Sequence, residues 1–179
     1  MSATPPQRVA ISGSHGVGKT TLLGLLAAAL PGVPALPETA REVIADFGLP
    51  PQDMDDARRE EFQREILRRQ IARESFPGPF LTDRCVLDTL AYAHGMECYG
   101  ELRAQAVRHL ASRPYTCVLL VPKRFAPEPD GVRMVDERFQ EEVERRLRAL
   151  LAELGVPFHE IRADTPQGRT LEALAIIGT

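Results

Sequence analysis

The sequence predicts an α/β fold of three layers, in which helices cover both faces of a five-stranded, mainly parallel sheet. Three observations carry that expectation. Five short apolar runs alternate with longer stretches of helix formers along the 179 residues. One run, Cys117-Val118-Leu119-Leu120-Val121, is apolar without interruption, as in a parallel strand covered on both faces. The first run passes through a glycine-rich loop directly into a helical stretch, a junction that parallel α/β units use repeatedly.

Arg8 to Ser12 is short and β-branched and reads as the first strand. Thr21 to Leu30 is rich in helix formers and stops at Pro31-Gly32. Val33 to Thr39, broken by Pro34 and Pro37, reads as the second strand, followed by a helix over about 40–47 that Gly48 and Pro50-Pro51 end. Asp53 or Asp55 can cap a longer helix reaching about Ser75, with an apolar stripe through Phe62, Ile66 and Ile71. Phe80-Leu81-Thr82 is the third strand, and Asp83-Arg84 opens a helix through Val86, Leu87, Leu90 and Ala91 with Gly95 as its C-terminal cap. A further helix covers about 101–112, and Tyr115 to Val121 is the fourth strand. Residues 122–136, holding Pro122, Pro127, Pro129 and Gly131, read as a mobile lid loop. Asp136 can cap a helix from Glu137 to Leu154, with a stripe of Phe139, Val143, Leu147, Leu150, Leu151 and Leu154. Phe158 to Ile161 is the fifth strand and Thr170 to Ile177 a closing helix. A single domain over 1–179 is expected from the length.

The glycine-rich loop is Gly13-Ser14-His15-Gly16-Val17-Gly18-Lys19-Thr20, a full G-x-x-x-x-G-K-T sequence. Set between a strand and a helix, it predicts a phosphate site, with Gly13 to Thr21 contacting the nucleotide. Its backbone N–H groups can curl around an anion, and the helix N-terminus adds partial positive charge. Lys19 would reach the β- and γ-phosphates, and the Thr20 hydroxyl would ligate Mg²⁺. Of the 22 Lys and Arg residues only Lys19 and Lys123 are Lys, so a lysine at this place indicates a need for a slim ammonium charge. The expected fold is therefore that of the P-loop NTPases, and ATP and Mg²⁺ are the expected cofactors.

Composition removes several alternatives. The net charge of −3 argues against a nucleic-acid partner. Arg64, Arg68, Arg69 and Arg73 alternate with Glu60, Glu61, Glu65 and Glu74, which reads as a solvated helix face. Cys85, Cys98 and Cys117 have no metal-like spacing and fit reduced thiols in the cytoplasm. Residues 1–7 lack the pattern of a signal peptide, and the longest apolar run, Leu22 to Leu30, is too short for a bilayer, so no membrane association is expected. The chain has no Asn, so an N-K-x-D guanine reader is excluded. A homodimer is left open.

Phe80-Leu81-Thr82-Asp83-Arg84 is an apolar strand ending in an acid. An Asp there can hold Mg²⁺ through water or accept a proton from a hydroxyl; equally, it can cap a helix, with Arg84 a surface charge. Glu38, at the end of the second strand, can orient a hydroxyl nucleophile or simply favour a helix N-terminus. Arg124 and Arg133 bracket the lid, and Arg133 is the better candidate to meet charge on a transferring phosphoryl group. His15 acts through its backbone, and His94, His109 and His159 show no metal spacing. Gln63 and Gln70, seven apart on the long helix, can face an acceptor pocket, but they read better as surface polar positions.

Asp83-Arg84-Cys85-x-x-Asp88-x-x-x-Tyr92, taken with the phosphate loop, resembles the D-R-[SCG]-x-x-D-x-x-x-Y pattern of small P-loop kinases, the group of thymidylate kinases, deoxynucleoside kinases and ribosylnicotinamide kinases. The resemblance is greatest to the ribosylnicotinamide-kinase-like, NadR-type kinase domain of AAA-family ATPases. Glu38-x-x-Arg41 is similar to its E-x-A-R element, and Asp130-Gly131-Val132-Arg133 to its D-G-x-R lid sequence. The likeness runs from about Arg8 to Arg169. It departs before Asp130, where Ala126-Pro127-Glu128-Pro129 replaces a P-D-x-P-W stretch in a chain without Trp.

The resemblance implies an ATP-dependent kinase for a small nucleoside- or nucleotide-like acceptor. Lys19, Asp83, Glu38 and Arg133 would be its catalytic groups. Glu38, Arg41, Arg84 and Asp88 would bind the acceptor, Thr20 and Asp83 the metal, and Arg169, in the loop 163–169, the adenine. The alternative is a regulatory NTPase that hydrolyses ATP to switch a protein partner.

Overall fold

A computed structural model describes residues 7–123 and 136–178. Five strands form one sheet: β1 (Arg8–Ser12), β2 (Ala35–Leu36), β3 (Phe80–Asp83), β4 (Cys117–Leu120) and β5 (Phe158–Glu160). Their order across the sheet is β2-β3-β1-β4-β5, and every neighbouring pair is parallel. The helices are α1 (Lys19–Ala29), α2 (Thr39–Phe47), α3 (Asp56–Arg73), α4 (Val86–Tyr92), α5 (Tyr99–Ser112), α6 (Glu137–Glu153) and α7 (Pro166–Ile177).

The sheet separates two apolar layers. On one side Leu22, Leu23 and Leu26 of α1 and Ala173 and Ile177 of α7 pack on Val9, Ile11, Leu119 and Val121. On the other, Leu67, Leu87, Leu90, Leu102, Val143 and Leu147 from α3 to α6 pack on Ala10, Phe80, Val118 and Leu120. The alternation of Val9 and Ile11 against Ala10 is the two-residue period of a strand buried on both faces. A smaller cluster of Ala40, Val43, Met54, Phe62 and Ile66 seats α2 on α3.

Several boundaries differ from expectation. β2 shrinks to two residues because Pro34 and Pro37 flank it and cannot donate to a ladder. Asp83 is the last strand residue and does not open a helix: Arg84 follows at φ 81°, and α4 begins only at Val86. That helix is capped at Ala93, so Gly95, also at positive φ, lies in the turn beyond. The Thr165 hydroxyl accepts from the Gly168 N–H and starts α7 at Pro166, which puts Arg169 inside a helix. Glu74, expected on a solvated face, is fully buried. Among the described residues no helix is long and apolar enough to cross a membrane.

Candidate active site

Because all strands run the same way, their carboxyl ends share one edge, where ligands of such sheets gather. The phosphate loop leaves β1 there. Gly13 (φ 142°), Gly16 (φ 74°) and Gly18 (φ 92°) take backbone conformations that side chains resist. At Gly13 a Cβ would also lie 2.4 Å from the Val121 carbonyl oxygen, so the loop can follow this path only without one. Lys19 is the first residue of α1, and its Nζ donates to the Ser14 carbonyl at 2.6 Å. Burial, with Arg84 nearby, lowers the Lys19 pKa to about 8, against the opposing pull of Asp83, Glu38 and Asp88. The Ser14 hydroxyl is buried without a partner among the described residues, an opening for a phosphate oxygen.

Thr20 Oγ1 donates to Asp83 Oδ2 at 2.6 Å, while the buried Asp83 Oδ1 has no partner among the described residues. A hydroxyl and an orphaned carboxylate oxygen fit the hard oxygen ligands that Mg²⁺ takes beside phosphate and water. No group of three or more His, Cys, Asp or Glu suited to a metal occurs among the described residues. A dedicated protein cage for the ion is therefore absent from them.

Arg84 is the hub between the phosphate loop and α2. Its Nε donates to Glu38 Oε1 (2.7 Å), its Nη1 to Asp88 Oδ1 (3.1 Å) and to the Gly13 carbonyl (3.2 Å), and its guanidinium lies 5.2 Å from the Tyr92 ring centre. Burial opposes its charge, but Tyr92, Glu38, Asp88 and Asp83 outweigh that and raise its pKa well above the ordinary value. Glu38 occupies the N-cap position of α2 without capping it and also accepts from Arg41 Nε at 3.2 Å. Asp88 closes a capping box with Cys85 and accepts the Ser12 hydroxyl at 2.6 Å, so it fastens α4 to the start of the phosphate loop.

Glu38, Arg84 and Asp88 border a cavity of about 500 Å³. Phe62, Gln63 and Ile66 of α3, Thr89 and Tyr92 of α4, and Phe139 of α6 form much of its wall. His15 lines it too, with Nδ1 3.2 Å from the Tyr92 hydroxyl, so this loop residue contributes a side chain as well as backbone. Arg41 is half exposed and does not line the cavity. Arg169 approaches the loop from α7, its Nη1 donating to the Val17 carbonyl at 2.8 Å. Thr21 is exposed on the first turn of α1. Arg124, Arg133 and the D-G-x-R sequence lie outside the described residues.

Sequence reasoning missed part of the wall. Gln63 and Gln70 are buried rather than surface positions. The signal was present: Gln63, Ile66, Leu67 and Gln70 follow i, i+3, i+4, i+7 spacing and share one helix face with the core. Phe139, expected in the α6 stripe, is 40% exposed and faces the cavity against Tyr92.

A five-stranded parallel sheet in this order, with a lysine-bearing phosphate loop and an acid ending the neighbouring strand, defines a P-loop nucleotide kinase fold. The chain belongs to the AAA domain family, whose pattern matches residues 8–169. Among solved structures it is similar to a NadR protein in complex with NR (TM-score 0.77, 20% identity), covering 96% of this chain and 50% of that one. It is also similar to deoxyadenosine kinase from M. mycoides (0.67, 12% identity), covering 95% of this chain and 98% of that one. Thymidylate kinase from Candida albicans resembles it as well (0.66, 14% identity), with 97% and 91% covered. The chain thus spans about half the length of the NadR protein and nearly all of the two single kinases. No curated protein matches it in sequence.

Proposed function

We propose that this protein is an ATP-dependent phosphotransferase acting on a small nucleoside- or nucleotide-like acceptor. The observation that carries the reading is the position of Arg84 and Glu38. They sit between a phosphate loop on one side and a cavity lined in part by aromatic side chains on the other. Tyr92, Phe139 and Phe62 give the cavity an aromatic lining suited to a planar group. Gln63 and Thr89 are more than nine-tenths buried in the same wall, where their side chains can offer polar atoms to a ring edge.

In this reading the loop N–H groups and Lys19 hold the donor phosphates, and Glu38 orients the acceptor hydroxyl and takes its proton. Thr20 and Asp83 hold Mg²⁺, which neutralises charge on the phosphates. Arg84 aims Glu38 through its Nε–H hydrogen bond, and Arg133 from the lid sequence would meet charge on the transferring group. Arg169 braces the loop at Val17 beside the expected adenine site. The three cysteines, all free and buried, are in keeping with a cytoplasmic location.

The test is ADP release from Mg-ATP with and without each of a panel of ribonucleosides, deoxynucleosides, ribosylnicotinamide and the corresponding monophosphates. A kinase is strongly stimulated by one of them and yields its phosphorylated product. Turnover unchanged by any acceptor would leave the regulatory NTPase as the better reading.

A further inference from the structure

Beneath the site lies a buried polar cluster that the proposed chemistry does not use. Gln70 of α3 is 2% exposed, and its amide is fully engaged. Nε2 donates to Glu74 Oε1 (2.7 Å), Thr82 Oγ1 (3.0 Å) and the Arg84 carbonyl (3.1 Å), and Oε1 accepts from Thr39 Oγ1 (2.8 Å). With two N–H bonds and three acceptors, one N–H is shared. Glu74 is fully buried and also lies within hydrogen-bond reach of the Tyr115 hydroxyl (2.8 Å) and His109 Nε2 (2.8 Å). The Arg84 carbonyl can only accept, and it fixes which end of the Gln70 amide is nitrogen. Tyr115 in turn accepts the N–H of Val86, the first residue of α4.

Three of the four arms of Gln70 end beside or on a candidate site residue. Thr39 follows Glu38, Thr82 precedes Asp83, and the third arm ends on Arg84 itself. Arg84 is the one described non-glycine residue at positive φ, a conformation that its Cβ disfavours. A glycine would relieve the backbone but would remove the guanidinium that joins Glu38, Asp88 and Gly13. The turn therefore needs an outside restraint, and buried polar groups are kept in a core at a cost unless each is satisfied. The hydrogen bond from Gln70 to the Arg84 carbonyl is such a restraint.

We infer that Gln70 is a positioning residue for the transfer reaction. It holds the Arg84 backbone in its left-handed turn and ties α2 beside Glu38 to the same helix, so that Arg84 and Glu38 meet at the cavity. The inference rests on the kinase reading only for its kinetic consequence; the geometric consequence stands apart from it.

Two measurements test it. In uniformly ¹⁵N-arginine-labelled protein, the Arg84 Nε–H signal is identified by its loss in Arg84→Ala. Gln70→Met keeps side-chain length and removes the hydrogen bonds; it should shift that signal and speed its exchange with water. Thr39→Val, which removes a single donor to Gln70, should move the signal the same way by less, and it keeps the test open should Gln70→Met not fold. A signal unmoved in whichever variants fold overturns the inference, whatever the enzyme's activity.

The second measurement is a double-mutant cycle with the panel nucleoside that the wild type phosphorylates fastest. Gln70→Met should lower kcat about tenfold or more with the KM for ATP nearly unchanged, and should lower it no further than about twofold in the Arg84→Ala background. Equal losses in both backgrounds, or a lower melting temperature with unchanged kcat, make Gln70 a stability residue only and overturn the inference. Absence of any acceptor turnover in the wild type sinks the kinase reading, and the arginine signal then decides on Gln70 alone.

Discussion

Thr20 and Asp83 share a 2.6 Å hydrogen bond that joins the first turn of α1 to the end of β3, 63 residues further along the chain. The second oxygen of the Asp83 carboxylate is left open beside the phosphate loop. Asp83→Asn preserves shape and removes the charge. Turnover should fall about 100-fold or more, on the scale of metal-site or general-base losses, and should respond less to added Mg²⁺. Near-normal kinetics across a Mg²⁺ titration would reduce Asp83 to a structural partner of Thr20.

The Lys19 ammonium titrates near pH 8 in the free protein because it is buried. ATP would bring negative charge against it and raise that pKa. Below about pH 8 the lysine is already charged and binding takes up no proton through it. Above pH 8 the free protein has lost the proton and the bound form regains it, so ATP affinity should fall with rising pH, by at most about tenfold per pH unit for one proton. Calorimetry at pH 9 in buffers of different ionisation enthalpy should report proton uptake in the wild type and none in Lys19→Met. Equal uptake in both would assign the proton elsewhere.

Glu38 borders the cavity, and if it serves the acceptor, as proposed, Glu38→Gln should separate donor binding from transfer. The amide keeps the volume but loses the charge that Arg84 and Arg41 face. ATP affinity should stay within about twofold, whereas acceptor-dependent turnover should drop about 100-fold. Parallel loss of ATP binding would show that Glu38 supports the phosphate loop instead.

Gln63 gives a test of the cavity that does not depend on the chemistry. Gln63→Met fills nearly the same space without polar atoms, so thermal stability should hold. Binding of the best panel acceptor, followed by calorimetry, should weaken about tenfold, the scale of one lost hydrogen bond with a polar ligand edge left unpaired. Unchanged binding would place the acceptor away from α3.

The parts of this site formed by consecutive residues were legible in the sequence. Gly13 to Thr20 carries its geometry in its spacing, and the alternation of apolar runs with helix formers marked the parallel sheet, whereas Asp83-Arg84 was expected to open a helix and instead ends β3 in a left-handed turn. The parts assembled across elements were not. Glu74 looked like one more charge on an Arg- and Glu-rich helix, yet it is buried by Tyr115 and His109, which arrive from α5 and the approach to β4. Gln63 and Gln70 are polar, so a reading by hydrophobicity put them outside, although their spacing matched the apolar stripe. Arg169 was placed in a loop because Pro166 and Gly168 look like breakers, whereas Pro166 is the first residue of α7 and the Gly168 N–H is taken up by its cap.

The strand order gives the molecule a division of labour. What would grip the donor comes from the β1–α1 junction and α7, and most of the acceptor wall comes from α3 and α4; Arg84 touches both. If the kinase reading holds, substitutions on the inner faces of two helices would change the acceptor this protein takes, while the phosphate loop and its neighbouring acid stay as they are.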